Sequence, residues 1–472
     1  MEKTYSEAIE QHCKLPDKRL EHRYGLIVDK LFHNFGKSIP QSFVKRSQVK
    51  ATYNFFSHPY ISYEMLIATE RERVMAEVSQ SSPQVLLAVQ DITNTNYTGS
   101  RSDSDLGCMR TEQTKGFYVH NHVLFTPQGI GLGIFDQEIW NYPAHEIGTH
   151  KDQRKQKAFE DKASYRWYEQ FEQLQDAFEA LPSTTVISIA DREGDIHELL
   201  QARRLPNVHY IIRGRGDRKE HLTNIHMKEL LPQEPIVHIY EVKVPENNKD
   251  KNNKIPKRTA KVALSYRHMT IHAPRRVSNS QISVEPIELT VVYVNEIDPP
   301  KEVKEPIEWI LYTSLPVNNA QDALQVVEYY KCRWLIEIFH YVLKQGAQVE
   351  NLQLATSKAL QNAIVTYSIV ALQVQTLRYA TNEYAQEPIQ NIHNLRLNAQ
   401  DYALLATFLN HTYHTKHDIE KKEPTVEDFF KLIAQLGGFQ FQKNKSPGVK
   451  VIWRGWQHWN IIKQTAFAMR HN

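Results

Sequence analysis

Cysteine is scarce. The 472 residues hold three, Cys13, Cys108 and Cys332, far apart and with no CxxC pair among them. That excludes a disulfide framework, and reduced intracellular thiols are the expectation. Long apolar runs are missing as well. The N-terminal stretch MEKTYSEAIEQHC lacks the apolar core of a signal peptide. The most apolar helical stretch, AIVTYSIVALQVQTL, is interrupted by Thr366, Ser368, Gln373 and Gln375, which falls short of a membrane span. A cytoplasmic protein with no membrane partner is expected. Charge of one sign is not in excess either. The formal net charge is +3, so any contact with nucleic acid must come from local basic patches rather than a global field. No internal repeat is found. What remains is an ordinary globular composition, long enough for two to four domains with ample core.

Against that background one segment stands out, VVEYYKCRWLIEIFHYVLKQG, which carries no proline or internal glycine. At helical pitch, Tyr330, Arg333, Glu337 and Lys344 fall at roughly 0°, 300°, 340° and 320°, one stripe of a helix. Trp334, Ile338, Tyr341 and Val342 occupy a neighbouring sector and are expected to face a core. A carboxylate flanked by two cations and a phenol suits a divalent metal and a phosphodiester. The plainer alternative is a solvated face on which Arg333 and Glu337 form an (i, i+4) salt bridge.

Two upstream aspartates bear on that choice. Asp91 ends the run VLLAVQD and Asp191 ends TTVISIAD, both short β-rich apolar runs followed by a polar turn. In open α/β sheets, ligands bind at the carboxyl ends of strands. One such Asp is ordinarily a turn former or helix cap. Two of them with a helical Glu supply three hard oxygen ligands of the kind Mg²⁺ or Mn²⁺ takes.

The pattern Tyr-x2-Arg-x3-Glu-x6-Lys, complete here as Tyr330, Arg333, Glu337 and Lys344, resembles the signature of a large group of bacterial DDE transposases, the fourth insertion-sequence family. The second-Asp motif, Ala-Asp-Arg-Glu-Gly-Asp at 190–195, also fits. The resemblance extends through KATYNFFSHP, KGFYVHNHV, EWILYTSLPV, LGGF and WRGW, nearly the whole chain. One departure is that Ile92 and Thr93 follow Asp91 where a near relative has two threonines, which affects a local hydroxyl contact and not the carboxylate.

The expected organisation has three parts. Residues 1–64 read as a helical unit. Leu20, Tyr24, Ile27 and Leu31 recur at helical spacing after Pro16 and Asp17, beside a basic stripe of Arg19, Arg23 and Lys30. Lys45, Arg46 and Lys50 come with a second helix containing Tyr53, Phe55 and Phe56. These are solvated bundle faces or phosphate contacts, and the resemblance implies DNA binding. Residues 65–383 read as β-β-β-α-β-α-β before a final helix, a ribonuclease-H-like α/β core. From Asp191 to Glu337 is 146 residues (337 minus 191), more than that core needs. The excess, 217–306, is expected to be a β insertion of antiparallel strands, with ENNKDKNNKIPKR as a solvated loop. Residues 384–472 read as helical, with Trp453, Trp456 and Trp459 clustered near the end, and the resemblance implies dimerisation.

The expected chemistry is phosphodiester cleavage by two metal ions, Mg²⁺ with Mn²⁺ as substitute, held by Asp91, Asp191 and Glu337. Arg333 and Lys344 would position phosphates and Tyr330 would donate to one. The resemblance implies a DNA cycle. Water nicks the transposon end, the freed 3′-hydroxyl forms a hairpin, water reopens it, and the end joins target DNA. It also implies a homodimer on the terminal inverted repeats, no small-molecule cofactor, Trp309 against a flipped base and Arg213 at the cleaved end. The bacterial nucleoid would be the place of action. Glu193 and Asp195 read as structural neighbours. His120, Asn121 and His122 spell a nuclease motif without its partners, and His411, His414 and His417 have loose metal spacing. The rivals are a catalytically silent end-binding regulator and a glycosidase-type carboxylate pair; the latter has no use for Arg333 and Lys344.

Overall fold

The computed structural model describes all residues except 1–4, 101–104, 145–146, 148–156, 247–256, 275–281, 392–396, 443–444 and 471–472. The strands, in chain order, are β1 (Val85–Asn96), β2 (Gly116–Phe125), β3 (Gly131–Trp140), β4 (Thr185–Ala190), β5 (Val208–Arg213), β6 (His238–Val244), β7 (Arg258–Ile271), β8 (Ile287–Glu296) and β9 (Glu308–Thr313). The helices ahead of β1 are α1 (Tyr5–His12), α2 (Lys18–His33), α3 (Ile39–Phe43), α4 (Arg46–Phe56) and α5 (Tyr63–Ser81). Between β3 and β6 come α6 (Tyr165–Phe178), α7 (His197–Gln201) and α8 (Met227–Leu230). After β9 follow α9 (Ala320–Lys331), α10 (Trp334–Tyr341), α11 (Ser357–Tyr384), α12 (Ala399–Tyr413), α13 (Val426–Leu436) and α14 (Val449–Arg470). The chain divides into two compact units, one of residues 1–81, 92–148 and 335–472, the other of 82–91 and 149–334.

The second unit is built on a sheet in the order β1-β4-β5-β9-β8-β7-β6. β1, β4 and β5 are parallel, and the rest pair antiparallel. The first half of β1 and nearly all of β4 are buried without alternation, the signature of parallel strands covered on both faces. Gln90 is buried among them, and its amide donates to Ser188 Oγ at 3.1 Å. The antiparallel strands anticipated between 217 and 306 are present as β6, β7 and β8. They join β5 through β9 and so lengthen the core sheet. Of the ENNKDKNNKIPKR segment, residues 247–256 lie outside the described residues.

One expectation needs correcting here. Asp91 is not at a strand end, because β1 runs on to Asn96. The residues after it, Ile92 to Asn96, belong to the first unit, where the strand order is β3-β2-β1. The β-branched Ile92, Thr93 and Thr95 suit an extended backbone, and pairing outweighs the local turn signal of Asn and Asp. The first helix of the expected core order is α6, which begins at Tyr165.

In the first unit, α2 opens where Asp17 caps it, accepting from the Arg19 N–H at 2.7 Å. Tyr24, Ile27, Val28 and Leu31 turn inward while Arg19 and Lys30 stay exposed. Tyr5 ties α1 to α5. Its hydroxyl donates to Glu70 at 2.5 Å, and the buried Arg73 holds Glu70 through two bonds of 2.9 Å. Gly437 caps α13 and Gly438, at φ +90°, turns the chain. The three tryptophans of α14 are buried, but their partners are not confined to the C-terminal segment. Trp456 packs on Phe32 at 5.4 Å and Trp453 on Phe35 at 6.3 Å, whereas Trp459 meets Phe429 at 5.7 Å. Trp456→Ala is therefore expected to cost about 3–5 kcal/mol of stability, read from denaturant unfolding. A loss below about 1 kcal/mol would contradict this packing. Among the described residues no helix is long and apolar enough to cross a membrane.

Candidate active site

Strand register sets the geometry in the second unit. Val89 pairs with Ile189, so Asp91 and Asp191 lie two residues further along neighbouring parallel strands. Ala190 pairs with Ile212, which puts Arg213 level with Asp191 on the next strand. Residues at one level of parallel strands point to the same face. Asp91, Asp191 and Arg213 thus form a row across β1, β4 and β5. Asp191 follows the last residue of β4 and caps the short turn Arg192–Gly194, accepting from the Glu193 N–H at 2.7 Å. Asp195 is occupied elsewhere, accepting from the Arg215 N–H at 2.7 Å and from Arg218. Burial, then the Asp191 charge, raises the Glu193 carboxyl above its usual range.

Tyr330, Arg333, Arg213 and Trp309 gather at this row. Arg333 Nη1 lies 3.7 Å from Asp91 Oδ2, both side chains 17% exposed. Tyr330 is buried, and its ring meets Trp309 edge to face at 5.2 Å. Burial raises the Tyr330 phenol above its ordinary range; Arg333 and Arg213 pull it back, and Asp191 pushes it up. Arg213 sits 6.0 Å from the Trp309 ring and donates to the Glu308 carbonyl at 3.0 Å. Burial lowers its guanidinium below the usual value, opposed by Tyr330. Beside them opens a cavity of about 690 Å³ lined by Arg192, Arg213, Tyr240, Tyr293, Trp309 and Lys331 among others. Sequence reasoning missed Arg192 and Lys331, although the first stands inside the Ala-Asp-Arg-Glu-Gly-Asp motif.

The signature segment is not one helix, which corrects the single-stripe reading. α9 ends at Lys331, a tight turn follows with the Arg333 N–H on the Tyr330 carbonyl at 2.9 Å, and α10 begins at Trp334. A π-helical turn then covers Val342–Gly346. Both irregularities rephase the side chains. The inward face is Leu335, Ile336, Phe339, Val342 and Leu343, while Trp334 is 58% and Tyr341 41% exposed. Of the four residues expected to face a core, only Val342 is buried.

Glu337 and Lys344 belong to the first unit. The α10 backbone is held near both ends. Gln375 of α11 donates to the Leu335 carbonyl at 2.9 Å, and Asn121 lies 2.9 Å from His340 Nε2. Asn121 accepts from Gln137 at 2.6 Å, and Gln137 donates to Ser368 at 2.9 Å. Asn121, from the His-Asn-His letters of β2, thus helps to hold the helix bearing Glu337. Lys344 donates to Asn94 Oδ1 at 3.0 Å, and burial lowers its ammonium below the usual value, with Glu350 opposing. Asn94 is a third residue that the sequence did not single out. Arg19 and Arg23 lie on α2, Arg19 3.3 Å from Asp17 and 93% exposed.

The donors offered by the second unit are carboxylate oxygens on two level strands, the chemistry that Mg²⁺ and Mn²⁺ accept. Among the described residues no group of three or more His, Cys, Asp or Glu side chains stands close enough to hold a metal ion. The two aspartates fit a divalent ion in ligand type, and a third ligand has to come from elsewhere.

Two family models match parts of the chain. A family model described as transposase DNA-binding matches residues 3–61, and one described as transposase DDE domain matches residues 168–373. The second span contains Asp191, Arg213, Trp309, Tyr330, Arg333, Glu337 and Lys344, and Asp91 precedes it. A structural comparison pairs the chain with a piggyBac transposase, solved by cryo-EM as a synaptic complex with hairpin DNA. The likeness is 10% identity at a TM-score of 0.33, covering 85% of this chain and 74% of that one. DDE domains depend on divalent metal. A transposase DNA-binding segment is thus followed by a transposase DDE domain on a ribonuclease-H-like core, which supports a DDE transposase.

Proposed function

We propose that this protein is an active cut-and-paste transposase of the fourth insertion-sequence family, nearest in its motifs to the transposase of transposon Tn-five. The observation that carries the reading is the row of Asp91, Asp191 and Arg213 with Arg333 3.7 Å from Asp91. It sets two hard-oxygen ligands among cations suited to phosphate. In this reading Asp91, Asp191 and Glu337 hold two Mg²⁺ ions, replaceable by Mn²⁺. Such a pair, when bound, lowers the pKa of water and neutralises charge at phosphorus.

The remaining roles belong to the protein. Arg333 and Arg213 present guanidinium forks to the phosphates either side of the cut, and Lys344 adds a point charge. Tyr330 stays a neutral phenol because burial disfavours its anion, so its O–H is available to donate to a phosphate oxygen. Trp309 offers a π-face for a base displaced from the stack. Residues 1–64 bind the terminal inverted repeats through Arg19 and Arg23, residues 65–383 cut through a hairpin, and residues 384–472 pair two copies on DNA. The place of action is the bacterial cytoplasm, at the nucleoid.

The test uses supercoiled DNA carrying the element's own ends. Double-strand release with Mg²⁺ or Mn²⁺, absent with EDTA, is expected. End binding without release in either metal would sink the reading in favour of a silent regulator.

A further inference from the structure

Outside the catalytic row, the second unit holds a histidine pair that none of the proposed chemistry uses. We propose that His221 and His272 form a binding site for one imidazole-seeking divalent ion, Zn²⁺, Cu²⁺ or Ni²⁺. Their Nδ1 atoms are 3.2 Å apart and the ring centroids 4.7 Å apart, with the planes inclined at 72°. At a zinc–nitrogen bond of about 2.0–2.1 Å, nitrogens that far apart subtend roughly 100° at the ion, close to tetrahedral.

The backbone fixes this spacing. Glu220 and Ile271 form an isolated antiparallel bridge. On either side of it the His221 N–H donates to the Thr270 carbonyl at 2.7 Å and the His272 N–H to the Lys219 carbonyl at 3.0 Å. The two histidines are therefore diagonal neighbours on a short ladder, held before any ion arrives. His221 is exposed and His272 half-buried, so the outer coordination positions open to water. Binding then needs only a tautomer change at the ring that donates its Nδ1 proton. Mg²⁺ does not compete, since it prefers oxygen.

Bound there, the ion clasps the segment after β5 to the end of β7. That same segment carries Arg215 and Arg218, which hold Asp195 four residues beyond Asp191. The site is thus tied through the backbone to the second-Asp motif.

The full chain, treated with chelator and kept in Mg²⁺ buffer, is titrated with Zn²⁺ against a fluorescent zinc indicator. Wild type is expected to take up one equivalent more than His221→Ala and one more than His272→Ala, all three showing the same far-UV spectrum and unfolding midpoint without zinc. With Cu²⁺, the difference spectrum between wild type and either variant should carry the electron-paramagnetic signature of two imidazole nitrogens. Equal uptake by all three proteins would overturn the site, as would a difference spectrum without two-nitrogen coupling. Neither readout depends on DNA cleavage, so the result stands apart from the transposase reading.

Discussion

Asp91→Asn and Asp191→Asn are each expected to reduce end cleavage by at least about 10³-fold while leaving end binding and folding intact. Both changes keep side-chain shape and remove one negative charge. At Asp91 that charge also faces Arg333 at 3.7 Å across a partly exposed pair. The pair is worth about 1 kcal/mol or less to the fold once solvent screening is allowed for. At Asp191 the amide oxygen still accepts from the Glu193 N–H, so the turn after β4 survives. Loss of function without loss of structure is the signature of a ligand. Rates within tenfold of wild type in either variant would remove that residue from the catalytic set, and a matching fall in the unfolding midpoint would recast it as structural.

The second large effect concerns salt. The N-terminal cations Arg19, Arg23, Lys30, Lys45, Arg46 and Lys50 are at or near the surface of α2 and α4. If these six neutralise phosphates, the slope of log affinity against log salt is about −0.9 per contact, so end affinity falls by about 10³ between 50 and 200 mM salt. Arg19→Ala or Arg23→Ala should each reduce the slope by about 1 and weaken binding to all sequences alike. Fluorescence anisotropy on labelled ends across that salt range reads it directly. Affinity that is flat with salt would contradict phosphate contacts by this surface.

The ribonuclease-H-like order of strands was legible because β4, β5 and the buried first half of β1 are short apolar runs followed by polar residues, as buried parallel strands are. The signature letters could be read because spacing in the chain survives any backbone irregularity. Geometry fared less well, and for a physical reason in each case. Asp91 was placed at a strand end because Asn and Thr follow it, yet pairing in the first unit extends β1 through them. The turn at Cys332 and Arg333 has no proline or glycine to announce it, so the face of α10 was misassigned and Trp334 turned out exposed. The tryptophans of α14 cluster in the sequence, whereas Phe32 and Phe35, some four hundred residues earlier, supply two of their partners. The support of α10 by Asn121 and Gln375 is likewise non-local, and no periodicity carries it. Arg192 was the exception, present in a motif already quoted and overlooked beside its aspartate.

Glu337 belongs to a different compact unit from Asp91 and Asp191, so its membership of the same metal set is the step that most needs a direct trial. Glu337→Gln and wild type would be compared on supercoiled DNA bearing the element's ends, each with Mg²⁺, Mn²⁺ or EDTA, with end binding followed in parallel. The expected result is metal-dependent double-strand release by wild type, none by Glu337→Gln in either metal, and equal end binding by both. Release by Glu337→Gln at a rate near that of wild type would contradict the three-carboxylate site.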